Sequence, residues 1–450
     1  MRSLTYGELI RGNRNFRNLL AGQFISELGN WFNFIAGLGL VRLVSGASPT
    51  AAGLFFVARL LPFALASPIA GTFVDRFSRR QVMIAADLIR AFVALSFLLV
   101  SDAHDLWIAY LATVVLHLMG AFFDGAKNAA APNLAGKEGL LAGTALLFST
   151  RFLLMAGGSA LGGYASAAFG YKVAFLINAA SFLVSAFTVW LIPEEATRDD
   201  ETGARMRKLG RKQAPLLTKE GWPPASADGV VLSYDGQDAR PSFYAELKEG
   251  VHYAVTNHFA LTILLVNLVW ALGAGSINLI FERTGGIFFA STEGWNSDIA
   301  VALLWTATGL GITTGMLIAH RTAVYLDRKG RHTPFVGWTL ILHGITFAIG
   351  GLMPTLLLFC LCVFISRVIV GVEYAVQETM FQRSLPDHIR GRISTLDRGA
   401  EMTIFGLMSY AAASLMIYMT PQTLTIASGL VSGLAGVVWF IRQRRPAPSA

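Results

Sequence analysis

The chain has 450 residues, of which 54% are hydrophobic and only 14% are charged. A soluble domain of this size carries about 25% charged residues because its surface faces water. The composition therefore excludes an ordinary water-soluble fold and indicates a protein whose outer surface faces lipid. The formal net charge of +8 would suit nucleic-acid binding, but the positions of the charges argue against it.

Twelve stretches of the chain are long and apolar enough to cross a bilayer, which takes about 20 helical residues each. The first, Leu19–Val44, is too long for the hydrophobic region of a signal peptide and is expected to remain as a span. We therefore predict an all-α integral membrane protein with spans at residues 19–44, 50–74, 81–100, 106–125, 140–166, 172–192, 259–281, 298–320, 334–352, 354–378, 397–417 and 421–441.

The spans form two groups of six, separated by a segment rich in Pro, Asp, Glu, Lys and Arg. We predict an N-terminal half over residues 1–192, a cytoplasmic linker over 193–258, and a C-terminal half with a short basic tail over 259–450. Aromatic and aliphatic residues near 243–258 predict a short amphipathic helix on the membrane surface. The basic run Arg205–Lys212 is predicted to be a flexible tether, with contact to anionic membrane lipid as the alternative.

Lysine and arginine predict the orientation, because they are held on the cytoplasmic side of a membrane. Of the 36 such residues, 29 fall in the termini and alternate loops, five fall inside spans, and two (Lys172 and Arg283) fall on the other side. Both termini are therefore predicted to be cytoplasmic, in a plasma (inner) membrane. The excess of basic residues is explained by their location in cytoplasmic segments, and no nucleic-acid partner is predicted.

Matched patterns relate the two halves. An Asp-Arg-x-x-Arg pattern starts at Asp75 after the second span and again at Asp327 after the eighth, 252 residues later. Asp124 at the end of the fourth span and Glu378 at the end of the tenth each precede a proline by eight residues. Because each half has an even number of spans, the halves have the same orientation, and we predict two six-helix parallel pseudo-repeats.

The loop after the second span resembles the signature of the major facilitator superfamily, which has a glycine, an Asp-Arg pair and two basic residues at this place. The matching residues are Gly71, Asp75, Arg76, Arg79 and Arg80. Stretches beginning at Ala21, Phe122 and Gln382 are similar to the drug-exporter branch that includes macrolide efflux proteins, enterobactin exporters and lysophospholipid transporters. The resemblance implies the major facilitator fold, with helices 1, 4, 7 and 10 lining a central cavity.

The chain departs from that branch at two places. Ser159 stands where the antiporter motif Gly-Pro-x-x-Gly-Gly would have its proline. The fourth span lacks the arginine typical of many drug–proton antiporters, and Leu116 and His117 occupy that region. Arg367 and Gly371 have the corresponding spacing in the other half. The coupling ion is therefore left open between the proton, which we expect, and another ion.

Ionisable residues inside a span are costly and are functional candidates by default. At ~1.5 Å per residue from the cytoplasmic end, Glu27 lies ~12 Å deep, and Arg151 and Arg367 lie ~16 Å deep. Together with Asn30, which shares the helix face of Glu27, they are the predicted proton and substrate residues of the cavity. Glu27 is the predicted proton site, and a fixed salt bridge is the alternative.

Other charges in the spans receive different predictions. Glu373 and Glu401 lie nearer the cytoplasmic end, where gate contacts are expected. Arg59 lies near two prolines of the second span, and we predict a structural role for it. Asp87 and Arg90 are spaced i, i+3 on the third span, which is expected at the periphery, and should pair with each other.

The matched loops are predicted to form a cytoplasmic gate. We predict that Arg79 or Arg80 pairs with Asp124 and that Arg331 pairs with Glu378, while the alternative is that these arginines only anchor the topology. The predicted gate and signature residues are Gly71, Asp75, Arg76, Arg79, Arg80, Asp124, Asp327, Arg328, Arg331 and Glu378.

Asp75 has a separate predicted role in this gate. Its carboxylate would approach the positive N-terminal end of helix 11, where a negative charge is favoured. This contact requires the two halves to close on the cytoplasmic side. We therefore expect Asp75 to favour the conformation that is open to the outside.

We predict a secondary active transporter that exports an amphipathic or lipophilic small molecule, such as a drug or siderophore, by alternating access driven by an ion gradient. It is expected to be a monomer, to use no cofactor and not to be an enzyme. No Walker pattern precedes the Gly136–Lys137 pair, and the histidines and cysteines lack metal-site spacing. The alternatives are a lysophospholipid flippase or nutrient uptake carrier of the same fold, and a membrane receptor or sensor that does not transport.

Overall fold

The computed structural model describes residues 4–74, 77–197 and 243–443. These residues form helices joined by short turns, and no strand occurs among them. Asp75 and Arg76 of the predicted signature lie outside the described residues. The same holds for residues 198–242, which contain the basic run predicted as a tether.

Twelve long helices make up most of the described part of the chain. Ten have the length and hydropathy of a membrane span, and the two at Arg14–Val44 and Asp387–Leu415 are as long but more polar. The twelve, in chain order, are α1 (Arg14–Val44), α2 (Pro49–Val74), α3 (Arg79–Leu95), α4 (Ala103–Gly136), α5 (Glu138–Phe169), α6 (Tyr171–Trp190), α7 (His258–Glu293), α8 (Ser297–Lys329), α9 (His332–Gly350), α10 (Leu356–Ser384), α11 (Asp387–Leu415) and α12 (Pro421–Gln443). The predicted all-α membrane fold is confirmed.

Asparagine side chains cap the N-terminal ends of several of these helices. The side chain of Asn13 accepts a hydrogen bond from the backbone N–H of Phe16, and Asn257 and Asn296 cap α7 and α8 in the same way. Such caps satisfy donors that the first helical turn would leave free. Between α4 and α5 there is no loop, because Gly136 adopts φ 71° and turns one helix directly into the next. Short helices also form at Tyr6–Gly12 and Phe243–Thr256. The location of the latter on the membrane surface stays a prediction.

The break in α7 was not foreseen in the sequence. The helix ends at Ala274, resumes at Ile277–Arg283 and continues through a π-helical turn at Thr284–Phe289. Two serines of other helices bond carbonyls near the break: Ser428 Oγ donates to Gly273 O (2.7 Å) and Ser409 Oγ donates to Gly275 O (2.8 Å). Inside a membrane a broken helix is tolerated only where neighbours satisfy its backbone in this way.

Close glycine contacts hold α8 against α10 inside the C-terminal half. A Cβ on Gly315 would lie 2.9 Å from Gly371 Cα, and one on Gly311 would lie 2.6 Å from Phe364 O. Neither position has space for a side chain, so these glycines allow the two backbones to approach. Gly158 and Gly162 of α5 play the same role against Trp31 and Phe32 of α1.

Replacing Gly315 by leucine should therefore destabilise the protein by ~3 kcal/mol or more, because the side chain must push α8 away from α10. The matched control is Gly157→Leu on α5, where a Cβ meets nothing within 4 Å. Thermal unfolding of the purified protein in detergent measures the difference. Equal unfolding temperatures for the two variants would contradict the packing role of Gly315.

The helices of the two halves contact each other along only part of their length, near one side of the membrane. We define the basic side as the side that holds Ser78, Gly136 and Gly330, and the opposite side as the other. α5 contacts α8 in the opposite-side half of the molecule, where Ser159 Oγ and Thr306 Oγ1 are 3.1 Å apart.

α2 and α11 also contact each other across the two halves on the opposite side. They touch at Gly53 and Ala413, close to the opposite side. Toward the basic side they diverge and leave a gap between Ala64 of α2 and Gly399 and Thr403 of α11. The halves thus close on the opposite side and enclose a cavity that widens toward the basic side.

Candidate functional site

A cavity of about 330 Å³ lies between the two halves near the middle of the helices. The structure brings the four residues predicted from the sequence to its wall: Glu27, Asn30, Arg151 and Arg367. Their helices are α1, α5 and α10. The predicted proton and substrate residues therefore share one space between the halves.

Aromatic side chains form the floor of this cavity on the opposite side. Trp305 of α8 is at the centre, with ring centroids 5.6 Å from Trp31, 5.5 Å from Phe34 and 5.2 Å from Phe281. Trp31 and Phe34 belong to the N-terminal half, and Trp305 and Phe281 to the C-terminal half. We refer to these four residues as the aromatic floor. Trp31, Phe34 and Trp305 line the cavity and offer a surface for an apolar or aromatic ligand, while Phe281 packs behind Trp305.

Arg59, for which a structural role was predicted, lines the cavity wall. Its guanidinium carbon is 4.0 Å from the ring centroid of Phe34, a cation–π contact. Glu27 and Arg151 are both close enough to act on it electrostatically. One carboxylate thus faces two guanidinium groups at this wall.

A second, polar cavity of about 170 Å³ lies inside the N-terminal half and adjoins the first. Glu27, Asn30, Arg59 and Arg151 line both cavities. α4 contributes His117 and Asp124 to the second cavity. The central cavity is lined by α1, α2, α5, α7, α8, α10 and α11, so helices 1, 7 and 10 hold their implied place while α4 lines the adjoining space.

Asp87 and Arg90 form the predicted pair, with 2.9 Å between Asp87 Oδ1 and Arg90 Nη1. Both side chains are buried, while the other face of α3 is exposed at Leu88, Ile89 and Phe92, as expected of a helix at the periphery. Arg90 also donates to Asn30 Oδ1 (3.3 Å) and lies 3.9 Å from the ring centroid of Phe182. The pair therefore supports the α1 face that carries Asn30.

The mouth of the cavity on the basic side carries further charges. Arg398 donates to Tyr374 Oη (2.8 Å), and Glu401 lines the cavity beside them. Glu373, for which gate contacts were predicted, makes none in this conformation. Its side chain is buried within the C-terminal half, and one of its carboxylate oxygens has no hydrogen-bond partner among the described residues.

Asp397 is a charged residue near this mouth that the sequence reasoning missed. Both of its oxygens accept hydrogen bonds from Asn267 Nδ2, at 3.1 and 2.9 Å. Gln377 in turn donates to Asn267 Oδ1 (2.7 Å). The position of Asp397 at the first residue of a predicted span was the available signal.

On the opposite side, an ionic cluster joins the halves. Arg42 at the end of α1 contacts both oxygens of Glu282 at 3.0 Å and also contacts Asp298 at the start of α8. All three side chains are nearly buried, at 11%, 1% and 7% exposure. We refer to these residues as the outer latch. The sequence reasoning missed it, although ionisable residues at the same ends of spans 1, 7 and 8 could have indicated it.

The predicted gate pairings are not formed in this conformation. Asp124 pairs with Lys127 at 2.6 Å, one turn along the same helix. Arg79 donates to the carbonyls of Ala129 (3.1 Å) and Thr197 (2.9 Å), and Arg80 donates to Trp190 O. The guanidinium groups of Arg79 and Arg80 thus donate to backbone carbonyls, and Asp124 pairs with Lys127 instead of with either arginine.

In the C-terminal half, Glu378 accepts a hydrogen bond from Gln382 Nε2 (2.6 Å) and not from Arg331. Asp327 is 3.2 Å from His332 and 3.8 Å from Arg383. Arg328 belongs to the last turn of α8, and Gly71 lies within α2. The signature loops therefore anchor helix ends on the basic side in this conformation.

A comparison with protein families matches residues 19–323 to the Major Facilitator Superfamily. The chain belongs to this superfamily. Its members are membrane transporters, so this protein is a multi-pass membrane transporter and not an enzyme.

Three relatives within the superfamily illustrate the range of similarity. The chain is 25% identical to the uncharacterized MFS-type transporter YfiS of Bacillus subtilis, with 86% of this chain and 82% of YfiS covered. It is 22% identical to macrolide efflux protein A of Enterococcus faecalis, with 75% and 92% covered. It is 23% identical to the multidrug efflux pump Tap of Mycolicibacterium fortuitum, with 92% and 89% covered.

The superfamily fold is also evident in solved structures. The structure of a D323A mutant of the nucleoside transporter NupG matches with a TM-score of 0.69 at 12% identity, covering 95% of this chain and 99% of that one. This likeness supports the superfamily fold, with its twelve helices in two halves.

Proposed function

We propose that this superfamily member is a secondary active exporter of amphipathic or lipophilic small molecules, powered by a proton gradient through alternating access. The observation that carries the proposal is a cavity between the two halves, with an aromatic floor and charged walls, that the outer latch seals on one side. A pump needs such a site and two gates. The names of two relatives, a macrolide efflux protein and a multidrug efflux pump, support export as the direction.

Protonation of Glu27 is the coupling step in this proposal. Glu27 is the carboxylate, among the described residues, that lines both cavities. Loss or gain of its charge changes the attraction to Arg59 and Arg151 between the packed helices, where the dielectric is lower than in bulk water and such interactions are stronger. A proton can thereby alter the wall that contacts the cargo.

The orientation belongs to the same proposal. With the basic side in the cytoplasm, the structure is inward-facing and the outer latch faces the outside. In a variant whose two cysteines are replaced by alanine, a cysteine at Ser101 or Thr292 should react with an impermeant thiol reagent added to intact cells. A cysteine at Ser78 should not react until the cells are opened. Labelling of Ser78 in intact cells would reverse the orientation.

Export is tested in cells that lack their own multidrug pumps. We expect expression of the protein to reduce both the toxicity and the accumulation of some amphipathic compounds in a panel, and a proton uncoupler to restore accumulation. Greater accumulation on expression would indicate an uptake carrier. Transport of lysophospholipid alone would indicate a flippase, and binding with no transport in either direction would indicate a receptor.

A further inference from the structure

The deep part of the central cavity carries more positive than negative charge. Arg59, Arg151 and Arg367 line it, and Glu27 is the one carboxylate that lines it at this depth among the described residues. Nearer the mouth, Glu401 lies beside Arg398 and balances it. The deep wall therefore has two guanidinium groups more than it has carboxylates.

The adjoining polar cavity supplies only part of the missing negative charge. Its cations already have partners, since Arg90 pairs with Asp87 and Lys127 pairs with Asp124. Each pair has no net charge, and both pairs lie within the N-terminal half. Asp124 also lies close enough to act on Arg151 electrostatically, so the N-terminal half offsets part of the charge of Arg151. It does not offset that of Arg367, which belongs to the other half.

Arg367 is the least compensated of these cations. It is 6% exposed, and its Nε is buried without a hydrogen-bond partner. No described residue accepts a hydrogen bond from it or forms an ion pair with it, although the Phe347 ring centroid lies 5.6 Å from its guanidinium carbon. A buried cation without a partner is costly, so its place at a cavity wall favours a ligand that supplies the missing negative charge.

The aromatic floor lies next to these cations. Trp31, Phe34 and Trp305 present rings to the same cavity that Arg151 and Arg367 line. A flat apolar body would contact the rings while a negatively charged group reached the guanidinium groups, which bind carboxylate, sulfonate or phosphate through paired hydrogen bonds.

We propose that the cargo is an amphipathic organic anion, whose aromatic or lipophilic body rests on the aromatic floor and whose anionic group binds Arg367 together with Arg151. The inference rests on the proposed function, because it defines the class of molecule that the same cavity takes. A free inorganic anion such as chloride shares the charge but lacks the apolar body.

Binding is tested without transport, so that the two proposals can fail separately. The probes are biphenyl-4-carboxylate, biphenyl-4-carboxamide and biphenyl-4-ylmethylammonium, which share one body and differ in charge. The protein is held in nanodiscs of zwitterionic lipid, and quenching of its tryptophan fluorescence reports binding. We expect the carboxylate to bind at least about tenfold more tightly than the other two.

The variants assign this preference to a residue. Arg367→Gln should remove most of the preference, and Arg367→Lys, which keeps the charge, should retain part of it. The control is Arg321→Gln, which removes one exposed charge at the basic-side end of α8 and should change nothing. A preference that survives Arg367→Gln overturns the role of Arg367.

Two further outcomes separate the sources of the anion and the two proposals. If the parent binds the three probes equally but is stabilised by chloride compared with gluconate, the site holds a small inorganic anion and the cargo proposal is overturned. If the parent exports all three probes equally, export stands and the anion preference falls. If the carboxylate preference is found and no compound is exported, the preference stands and the proposed export falls.

Discussion

Replacing Glu27 by glutamine should abolish uphill export while leaving cargo binding and folding intact. The carboxylate faces Arg59 and Arg151 where the polar cavity of the N-terminal half joins the central cavity. Glutamine has the same shape and can still form hydrogen bonds, but it cannot take up and release a proton. The wall then stays in one charge state, so cargo can equilibrate across the membrane but cannot be driven by a proton gradient.

The measurement uses membrane vesicles with an imposed proton gradient. In Glu27→Gln vesicles we expect no accumulation above equilibrium, together with retained exchange of labelled for unlabelled cargo. The control is Glu138→Gln, which changes an exposed carboxylate at the start of α5 and should leave uphill export unchanged. Uphill export by Glu27→Gln at the parent rate would remove Glu27 from the coupling mechanism.

Replacing Arg42 by glutamine should shift the protein toward the conformation that is open on the opposite side. The change leaves Glu282 and Asp298 in a buried position without their cation, and breaking such a cluster costs about 3–5 kcal/mol. The outer latch exists only while the halves are closed on that side. A cost of about 3 kcal/mol changes the ratio of the two conformations more than a hundredfold.

Accessibility of Ala302 reports this shift. Ala302 is 2% exposed and packs against Gly163 of α5 where the halves close. A cysteine at Ala302, in a chain whose native cysteines are replaced, should react with an impermeant reagent from the opposite side much faster when Arg42→Gln is present. Lys172→Gln, an exposed change on the same side, should have no effect.

Neutralising the whole outer latch provides a second check. Since replacing all members of a buried ion cluster is far less costly than removing one, Arg42→Gln combined with Glu282→Gln and Asp298→Asn should restore slow labelling of the Ala302 cysteine. Fast labelling in the parent, or equal rates in the parent and Arg42→Gln, would show that the latch does not hold the opposite side closed.

The sequence was sufficient to predict the spans because hydropathy and length are properties of one helix at a time. α1 and α11 show the limit of hydropathy alone: each carries polar residues such as Glu27 and Glu401 that face the cavity instead of lipid. The break in α7 depends on Ser428 and Ser409, which come far later in the chain. A contact of that kind leaves no periodic signal around residue 274.

The site likewise combines features of single helices, which could be predicted, with contacts between helices, which could not. Glu27, Arg151 and Arg367 could be predicted because a charge at membrane depth is costly whatever surrounds it. Their common cavity, and the joining of Arg42 to Glu282 and Asp298, depend on how the two halves dock. The predicted partner of Asp124 was incorrect for this conformation for a local reason, since Lys127 is three residues away and reaches it first.

We propose that this chain alone converts an ion gradient into export of a small molecule. The direct measurement reconstitutes the purified protein into liposomes without ATP, imposes a pH gradient, and follows a compound identified in the cell panel. We expect accumulation above equilibrium that depends on the direction of the gradient and collapses when an uncoupler is added. Accumulation that is the same with and without the gradient, or movement only to equilibrium, would contradict it.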